Sequence, residues 1–201
     1  MNALADEIVG LYERHARAFD ADRGRILFEK AWLDRFVALL PKGGTILDIG
    51  CGSGEPIARY LIDLGFKLTG VDASPTMIGL CRRRFPGQAW CIGDMRELAL
   101  EQKFDGLIAW NSFFHLSPED QRLMFPRFRA HAAVGGAALL FTSGPAHGEA
   151  IGSYCGEPLY HASLAAEEYR ALLDDNGFAV VRHIAEDPDC NGHTVWLAHR
   201  G

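Results

Sequence analysis

Short apolar segments alternate with amphipathic helical segments along most of this 201-residue chain. The segments that predict strands share β-branched or aromatic residues bounded by glycine, proline or charge, and they span 45–49, 66–71, 89–92, 104–110, 137–142, 178–184 and 194–199. Helical patterns separate most of them, which predicts a doubly wound, Rossmann-like α/β sheet. Ligands of such sheets bind beyond the carboxyl ends of the strands. The loops after these strands are therefore the expected site.

The two ends of the chain depart from this alternation. Residues 187–192 are rich in turn formers and too short for a crossover helix, so the last two strands are expected to form a hairpin with one antiparallel strand. Residues 3–19 and 24–40 have helical periodicity, which predicts a helical N-terminal cap over residues 1–41 before one domain at 42–201. The segment 143–162 contains glycine, proline and histidine and is interpreted as irregular.

The charge and cysteine content narrow the class of protein. Twenty Lys and Arg against 26 Asp and Glu give a net charge of −6, which disfavours an extended nucleic-acid surface. Five cysteines without a C-x-x-C pair favour reduced thiols over disulfides or a metal site. No apolar run is long enough for a membrane span, and the early Asp6-Glu7 pair is unlike a signal peptide. We expect a cytoplasmic protein without metal, nucleic-acid or membrane partners.

A glycine turn follows the first strand, in the sequence Asp48-Ile49-Gly50-Cys51-Gly52-Ser53-Gly54. Glycine at every second position lets the backbone turn sharply and approach a ligand closely. The turn leads into a helix, whose first N–H groups lack partners within the helix. The alternative is a tight strand-to-helix turn that binds nothing.

Two carboxylates end the next two strands. Asp72 follows Gly50 by about twenty residues, the offset at which an acid meets ribose hydroxyls in nucleoside-binding sheets. It could instead cap the next helix, although Ser74 can serve that purpose. After the third strand, Asp94 could accept from an exocyclic amine and Met95 could lie against a flat ring. Alone, that pair could be an incidental loop.

Together, these motifs resemble class I S-adenosylmethionine-dependent methyltransferases over about residues 45–142. The resemblance implies a seven-stranded sheet with an antiparallel last strand. It also implies that the Gly50–Gly54 turn receives the methionine portion, Asp72 the ribose, and Asp94 with Met95 the adenine. Glu55 occupies the position of the third glycine of a dinucleotide fingerprint, where an anion would oppose a pyrophosphate. A nicotinamide cofactor is therefore disfavoured.

The resemblance extends to a wider set of residues and to the type of acceptor. The expected S-adenosylmethionine-binding residues are Asp48, Gly50, Cys51, Gly52, Asp72, Ala73, Asp94, Met95, Trp110 and Asn111. The segment after the fourth strand lacks the Asn/Asp-Pro-Pro-Tyr/Phe motif of enzymes that methylate nitrogens of nucleic acids and proteins. We therefore expect a small-molecule methyl acceptor and S-adenosylhomocysteine as the product.

Proton removal from the acceptor would need a base, and His115 lies nearest the cofactor segment. It could instead be a packed histidine at the beginning of a helix. The residues expected to bind the acceptor are Tyr12, Phe114, His147, Tyr154 and His161. Two other functions stay open, a non-catalytic S-adenosylmethionine-binding regulatory module and a methyltransferase that acts on protein or nucleic acid.

Overall fold

The computed structural model describes residues 3–201 and contains a seven-stranded sheet beside a separate two-stranded hairpin. In chain order, the strands are β1 (Thr45–Ile49), β2 (Lys67–Asp72), β3 (Ala89–Ile92), β4 (Gly106–Ala109), β5 (Ala137–Ser143), β6 (Gly148–Tyr154), β7 (Glu157–Ser163), β8 (Phe178–Asp187) and β9 (His193–Arg200). The large sheet has the order β3-β2-β1-β4-β5-β9-β8. Strand β9 is antiparallel to both of its neighbours, which confirms the predicted sheet with an antiparallel last strand.

Within residues 3–201, six α-helices connect and cover the strands. They are α1 (Ala3–Asp22), α2 (Lys30–Val37), α3 (Ile57–Asp63), α4 (Pro75–Arg84), α5 (Pro118–His131) and α6 (Ala166–Asp175). Helices α4 and α5 begin as the sequence predicts, because Ser74 and Ser117 accept hydrogen bonds from N–H groups of the first turn. The proline after each serine lies where a helix needs no N–H donor. None of the described helices combines the length and apolarity that crossing a bilayer requires.

The core lies on both faces of the large sheet. Side chains at alternate positions of a strand point to opposite faces, so Leu47 and Ile49 pack with α5 and α6 while Ile46 packs with α2, α3 and α4. From β2 and β3, on one side of β1, the chain returns to β4 on its other side. A crevice at such a switch point is where an open α/β sheet binds its ligand.

The interpretation of residues 143–162 as irregular was wrong, because most of them form the β6–β7 hairpin. Cys155 and Gly156 make its turn with φ angles of 51° and 82°, the left-handed conformation of a tight two-residue hairpin loop. Strand β7 buries Tyr160 and Ala162 against α1. Strand β6 is exposed almost throughout and so lacks the alternation that identifies a strand in a sequence.

The second predicted helix is shorter than its periodicity indicated. Residues 24–29 are turns and irregular chain, and α2 begins only at Lys30. Its buried residues Trp32, Leu33 and Phe36 pack in the same core layer as β1 and β4. The division of the chain at residue 41 remains a prediction.

We expect Gly106→Ala to lower the free energy of unfolding by about 1–3 kcal/mol, the usual cost of overpacking a core. A Cβ there would lie 2.6 Å from the buried Phe36 ring and 2.9 Å from Leu40. Urea denaturation measures the change. Gly87→Ala is the matched control, because a Cβ at Gly87 meets nothing within 4 Å. Equal stability of the two variants would contradict the close approach of α2 to β4.

Candidate functional site

A cavity of about 290 Å³ lies beyond the carboxyl ends of the central strands, with α1 across it. We call it the central cavity. All ten residues predicted to bind the cofactor line it. Of the residues predicted to act on the acceptor, Tyr12, Phe114, His115 and His161 also line it. The structure therefore brings together groups from loops far apart in the sequence.

The glycine turn has the backbone geometry that only glycine adopts easily. Gly50, Gly52 and Gly54 have φ angles of 73°, 53° and 78°. A Cβ at Gly50 would lie 2.3 Å from that of Ser112, whose hydroxyl donates to the Ile49 carbonyl. The turn thus packs directly against the loop after β4.

Asp72 stabilises the glycine turn through a hydrogen bond. Its Oδ2 accepts from the N–H of Gly52, and its Oδ1 accepts from the N–H of Ser74, each at 2.8 Å. Burial raises the pKa of Asp72, and the two N–H donors oppose that rise. Each carboxylate oxygen can accept more than one hydrogen bond, so acceptor capacity remains for a ligand hydroxyl.

A second carboxylate makes this wall of the cavity favourable to a cation. Burial, together with the charge of Asp72, raises the pKa of Asp48 to about 7. Burying two neighbouring carboxylates is costly unless positive charge comes close. These two carboxylates therefore fit a ligand with sulfonium and ammonium groups better than a pyrophosphate.

Asp94 lies on the cavity wall but already has a cationic partner. Arg96 binds both oxygens of Asp94, and its other nitrogen contacts Asp6 on α1 at 2.5 Å. Arg96 thus links the loop after β3 to α1. The sequence reasoning did not identify this arginine.

Two more acidic residues of α1 reach the body of the protein. Glu13 accepts from the Ser74 hydroxyl and from the backbone and side chain of Thr76. Asp20 forms a bidentate ion pair with Arg84, with nitrogen–oxygen distances of 2.7 and 2.5 Å. These contacts and Asp6 hold α1 over the cavity. The seven-residue spacing of Asp6, Glu13 and Asp20, which places them on one helical face, was the available signal.

Tyr12 and the buried His115 form a hydrogen-bonded pair in the cavity wall. His115 Nδ1 lies 2.7 Å from the Tyr160 carbonyl oxygen, which can only accept, so Nδ1 carries the proton. Its Nε2 is then free to accept from the Tyr12 hydroxyl at 2.9 Å. Burial lowers the pKa of His115 to about 4, and the ring is therefore neutral at physiological pH. The His161 ring is centred 4.7 Å away.

The sequence reasoning also missed an ion pair between Arg23 and Glu29 at the cavity wall. Arg23 lines the cavity and binds one oxygen of the fully buried Glu29. The other oxygen of Glu29 has no hydrogen-bond partner within the described chain, and burial raises the pKa of Glu29. Nearby, the Trp110 ring stacks on His193, which Asn111 contacts at 3.0 Å.

His147 and Tyr154 do not reach the central cavity. His147 is exposed in the segment before β6. The Tyr154 hydroxyl donates to Asp22 on α1, and its ring packs on His15 and Phe19. Tyr154 therefore packs on α1 but is not part of the cavity lining.

Cys51 does line the cavity, but its thiol is not activated. Hydrogen bonding to Cys81 and burial raise the pKa of Cys51. A thiol without thiolate character is a poor nucleophile.

The central part of the chain is similar in sequence to known proteins. Residues 46–136 match a family described as a methyltransferase domain. A dTDP-3-amino-3,6-dideoxy-alpha-D-glucopyranose N,N-dimethyltransferase from Streptomyces fradiae is 30% identical over 102 residues, which are 50% of this chain. The match spans only 40% of that relative's length.

Solved structures share the fold over nearly the whole chain. A calicheamicin-pathway amino pentose methyltransferase from Micromonospora echinaspora, solved with S-adenosylmethionine, has a TM-score of 0.71 at 21% identity, covering 92% of this chain and 96% of its own. A second structure is a 1,6-didemethyltoxoflavin-N1-methyltransferase from Burkholderia thailandensis, solved with 1,6-didemethyltoxoflavin and S-adenosylhomocysteine bound. It has a TM-score of 0.74 at 18% identity, and the match covers 100% of this chain and 91% of that protein. The predicted resemblance to class I methyltransferases is confirmed.

We expect the free energy of unfolding of the wild type, relative to that of His115→Gln, to fall by about 3 kcal/mol as the pH decreases from above 6.5 to about 4. In that range the unfolded chain binds a proton at this histidine and the folded chain does not, so acid favours unfolding. Asp48, with its raised pKa, has the opposite sign but is common to both proteins. Urea titrations across the pH range give the difference, and a constant difference would contradict a buried neutral His115.

Proposed function

We propose that this chain binds S-adenosylmethionine in the central cavity and transfers its methyl group to a small molecule, a proposal that the match of residues 46–136 to a methyltransferase-domain family supports. The observation that carries this proposal is the continuity of the cavity. One space joins the glycine turn and Asp72 to the Tyr12–His115 pair. A cofactor and an acceptor bound there would lie side by side.

The proposed cofactor site uses the groups already described. The Gly50–Gly54 turn, near Arg23, would hold the methionine portion, and Asp72 would accept from the ribose hydroxyls. Met95 would contact the adenine. Because Asp94 is occupied by Arg96, its bond to the adenine amine would use its remaining acceptor capacity. The carboxylates of Asp48 and Asp72 favour the positive charge of the cofactor.

When bound, the cofactor supplies an electrophilic methyl group on a positively charged sulfur, which leaves as a neutral thioether. The contribution of the chain is to align the acceptor and to receive a proton. Orientation of this kind is worth up to about 7–11 kcal/mol in favourable cases. The proton passes to Nε2 of His115, with the Tyr12 hydroxyl as the connecting group.

The low basicity of His115 limits which acceptors suit the site. A group with a pKa of about 4 does not remove a proton from an alcohol before the reaction. It can accept one transiently from a nitrogen that becomes positively charged once methylated, and it then releases that proton to solvent. An uncharged amine or ring nitrogen is therefore the acceptor that this arrangement favours. The S. fradiae relative, named as an amino-sugar N,N-dimethyltransferase, supports this choice.

The walls at the acceptor end are aromatic and apolar. The rings of Phe114 and His161 are centred 5.2 Å apart, and Ile8 and Leu116 complete this part of the lining. Burial lowers the pKa of His161, so it adds little positive charge. A small amine with an apolar or ring-shaped body would fit these surroundings.

We expect Asp72→Asn to weaken S-adenosylhomocysteine binding by about 1.5–3 kcal/mol, the usual contribution of a hydrogen bond to a charged group. The amide cannot accept from the N–H groups of Gly52 and Ser74 at once, so the turn loses support as well. Isothermal titration calorimetry measures the affinity. Asp174→Asn, on the exposed side of α6, is the matched control. Equal affinity in all three proteins would remove Asp72 from the cofactor site.

We expect His115→Asn to lower kcat about 100-fold or more and to leave S-adenosylhomocysteine affinity nearly unchanged. Tyr12→Phe is expected to lower kcat less, because Nε2 remains and only the connecting hydroxyl is lost. Turnover is measured with labelled S-adenosylmethionine and a panel of small amines. His199→Gln, on β9 outside the cavity lining, is the control. Unchanged kcat in both variants would make the pair structural.

The same assay separates the other candidate functions. Cofactor binding without labelled product from any amine, alcohol or macromolecular extract would favour a regulatory module. Label in protein or nucleic acid alone would replace the small-molecule proposal.

A further inference from the structure

Gln121, near the beginning of α5, is fully buried. Its side-chain nitrogen donates one hydrogen bond to the Leu116 carbonyl at 3.0 Å and another to the Ala162 carbonyl at 2.9 Å. An amide NH2 group has two protons, so both donors of this side chain are used. Because a carbonyl oxygen can only accept, the two bonds also determine which end of the amide is the nitrogen.

Each of the two carbonyls belongs to the residue after a histidine that lines the central cavity. Leu116 follows His115 in the segment between β4 and α5, and Ala162 follows His161 on β7. One side chain therefore connects the two segments that carry the two imidazoles.

The amide oxygen of Gln121 also has a partner. It accepts from the Tyr169 hydroxyl of α6 at 2.6 Å, and the same hydroxyl accepts from the N–H of Leu164, directly after β7, at 3.0 Å. Tyr169 is buried as well. A buried network whose hydrogen bonds are satisfied favours a single geometry. Helix α6 therefore orients the Gln121 amide toward the two carbonyls.

The position of β7 determines the tautomer of His115. The Tyr160 carbonyl on β7 accepts from Nδ1 of His115, which leaves Nε2 to accept from the Tyr12 hydroxyl. Tyr160 lies two residues before Ala162, the β7 residue that Gln121 binds. If β7 moved away from this segment, Nδ1 would lose its acceptor and the ring could adopt either neutral tautomer.

We propose that Gln121 is a positioning residue that holds β7 against the segment between β4 and α5, and thereby keeps the proton of His115 on Nδ1. Gln121 is not part of the cavity lining, so it acts through His115. Its effect on turnover rests on the proposed methyl transfer. The tautomer of His115 is a property of the protein alone and can be measured without a cofactor or an acceptor.

Nitrogen NMR of isotope-labelled histidine rings tests the positioning. At mildly alkaline pH we expect a single His115 tautomer in the wild type, with the proton on Nδ1, and the His115→Gln variant identifies its signals. Gln121→Met keeps the length of the side chain but removes both donors, so the Nδ1 and Nε2 signals should shift toward each other as the second tautomer appears. Gln121→Asn, which is too short to bind both carbonyls, should cause a smaller shift and decides the question if the Met variant does not fold.

His131→Met is the matched control, because His131 is also buried on α5. Its ring nitrogens bond to the Leu100 N–H and to the Arg127 carbonyl, and neither residue belongs to β7. The variant therefore removes two hydrogen bonds of the same helix, and we expect the His115 signals to remain unchanged.

Turnover with labelled S-adenosylmethionine and the panel of small amines tests the consequence. We expect Gln121→Met to lower kcat about tenfold or more, because a small misplacement of a reacting group has a large effect on rate. S-adenosylhomocysteine affinity should stay nearly unchanged, and His131→Met should keep the wild-type kcat. Folded Gln121 variants that retain the single tautomer of His115 would overturn the proposal. A changed tautomer in a protein whose wild type methylates no acceptor would support the positioning and contradict methyl transfer instead.

Discussion

The carboxylate of Asp72 joins the two segments on which the central cavity depends. It accepts from the N–H of Gly52 in the glycine turn and from the N–H of Ser74 at the beginning of α4. Hydrogen bonds to a charged group contribute about 1.5–3 kcal/mol each, more than most neutral ones. Because burial raises the pKa of the same carboxylate, the arrangement is under electrostatic tension. A cationic ligand would offset that cost, so the carboxylate that holds the turn is also the group that the proposed sulfonium ligand would approach.

Helix α1 completes the site from a distant part of the chain. Its acidic residues contact Arg96, the start of α4 and Arg84, while its apolar side packs on β7. This placement brings the Tyr12 hydroxyl to Nε2 of His115, whose Nδ1 bonds to the carbonyl of Tyr160 on β7. The packing of α1, strand β7 and the loop that contains His115 therefore determines the tautomer of the His115 imidazole. The protonation state of His115 depends on how α1 and the hairpin pack.

Much of the fold was predictable because it depends on local patterns. The strands of the large sheet follow from their apolar runs, and the starts of α4 and α5 follow from Ser-Pro pairs. The glycine turn was predictable for the same reason, since a close backbone approach requires glycine at particular positions. Asp72 was predictable because it ends the second apolar run. The hairpin was not predictable from periodicity. Strand β6 is exposed almost throughout, and β7 is buried only because α1 covers part of it.

The sequence by itself determined the order of the seven strands of the large sheet and of the helices between them, the position of the glycine turn and the carboxylates that end the next two strands. These features require only neighbouring residues and the steric limits of the backbone. The tertiary structure decided which face of α1 closes the cavity, that Arg96 occupies Asp94, and that His115 is neutral with Nε2 facing Tyr12. Tyr12 and His115 are 103 residues apart, and their contact exists only once the chain is packed. Burial and hydrogen-bond direction, which set the chemistry of the site, are properties of that packing.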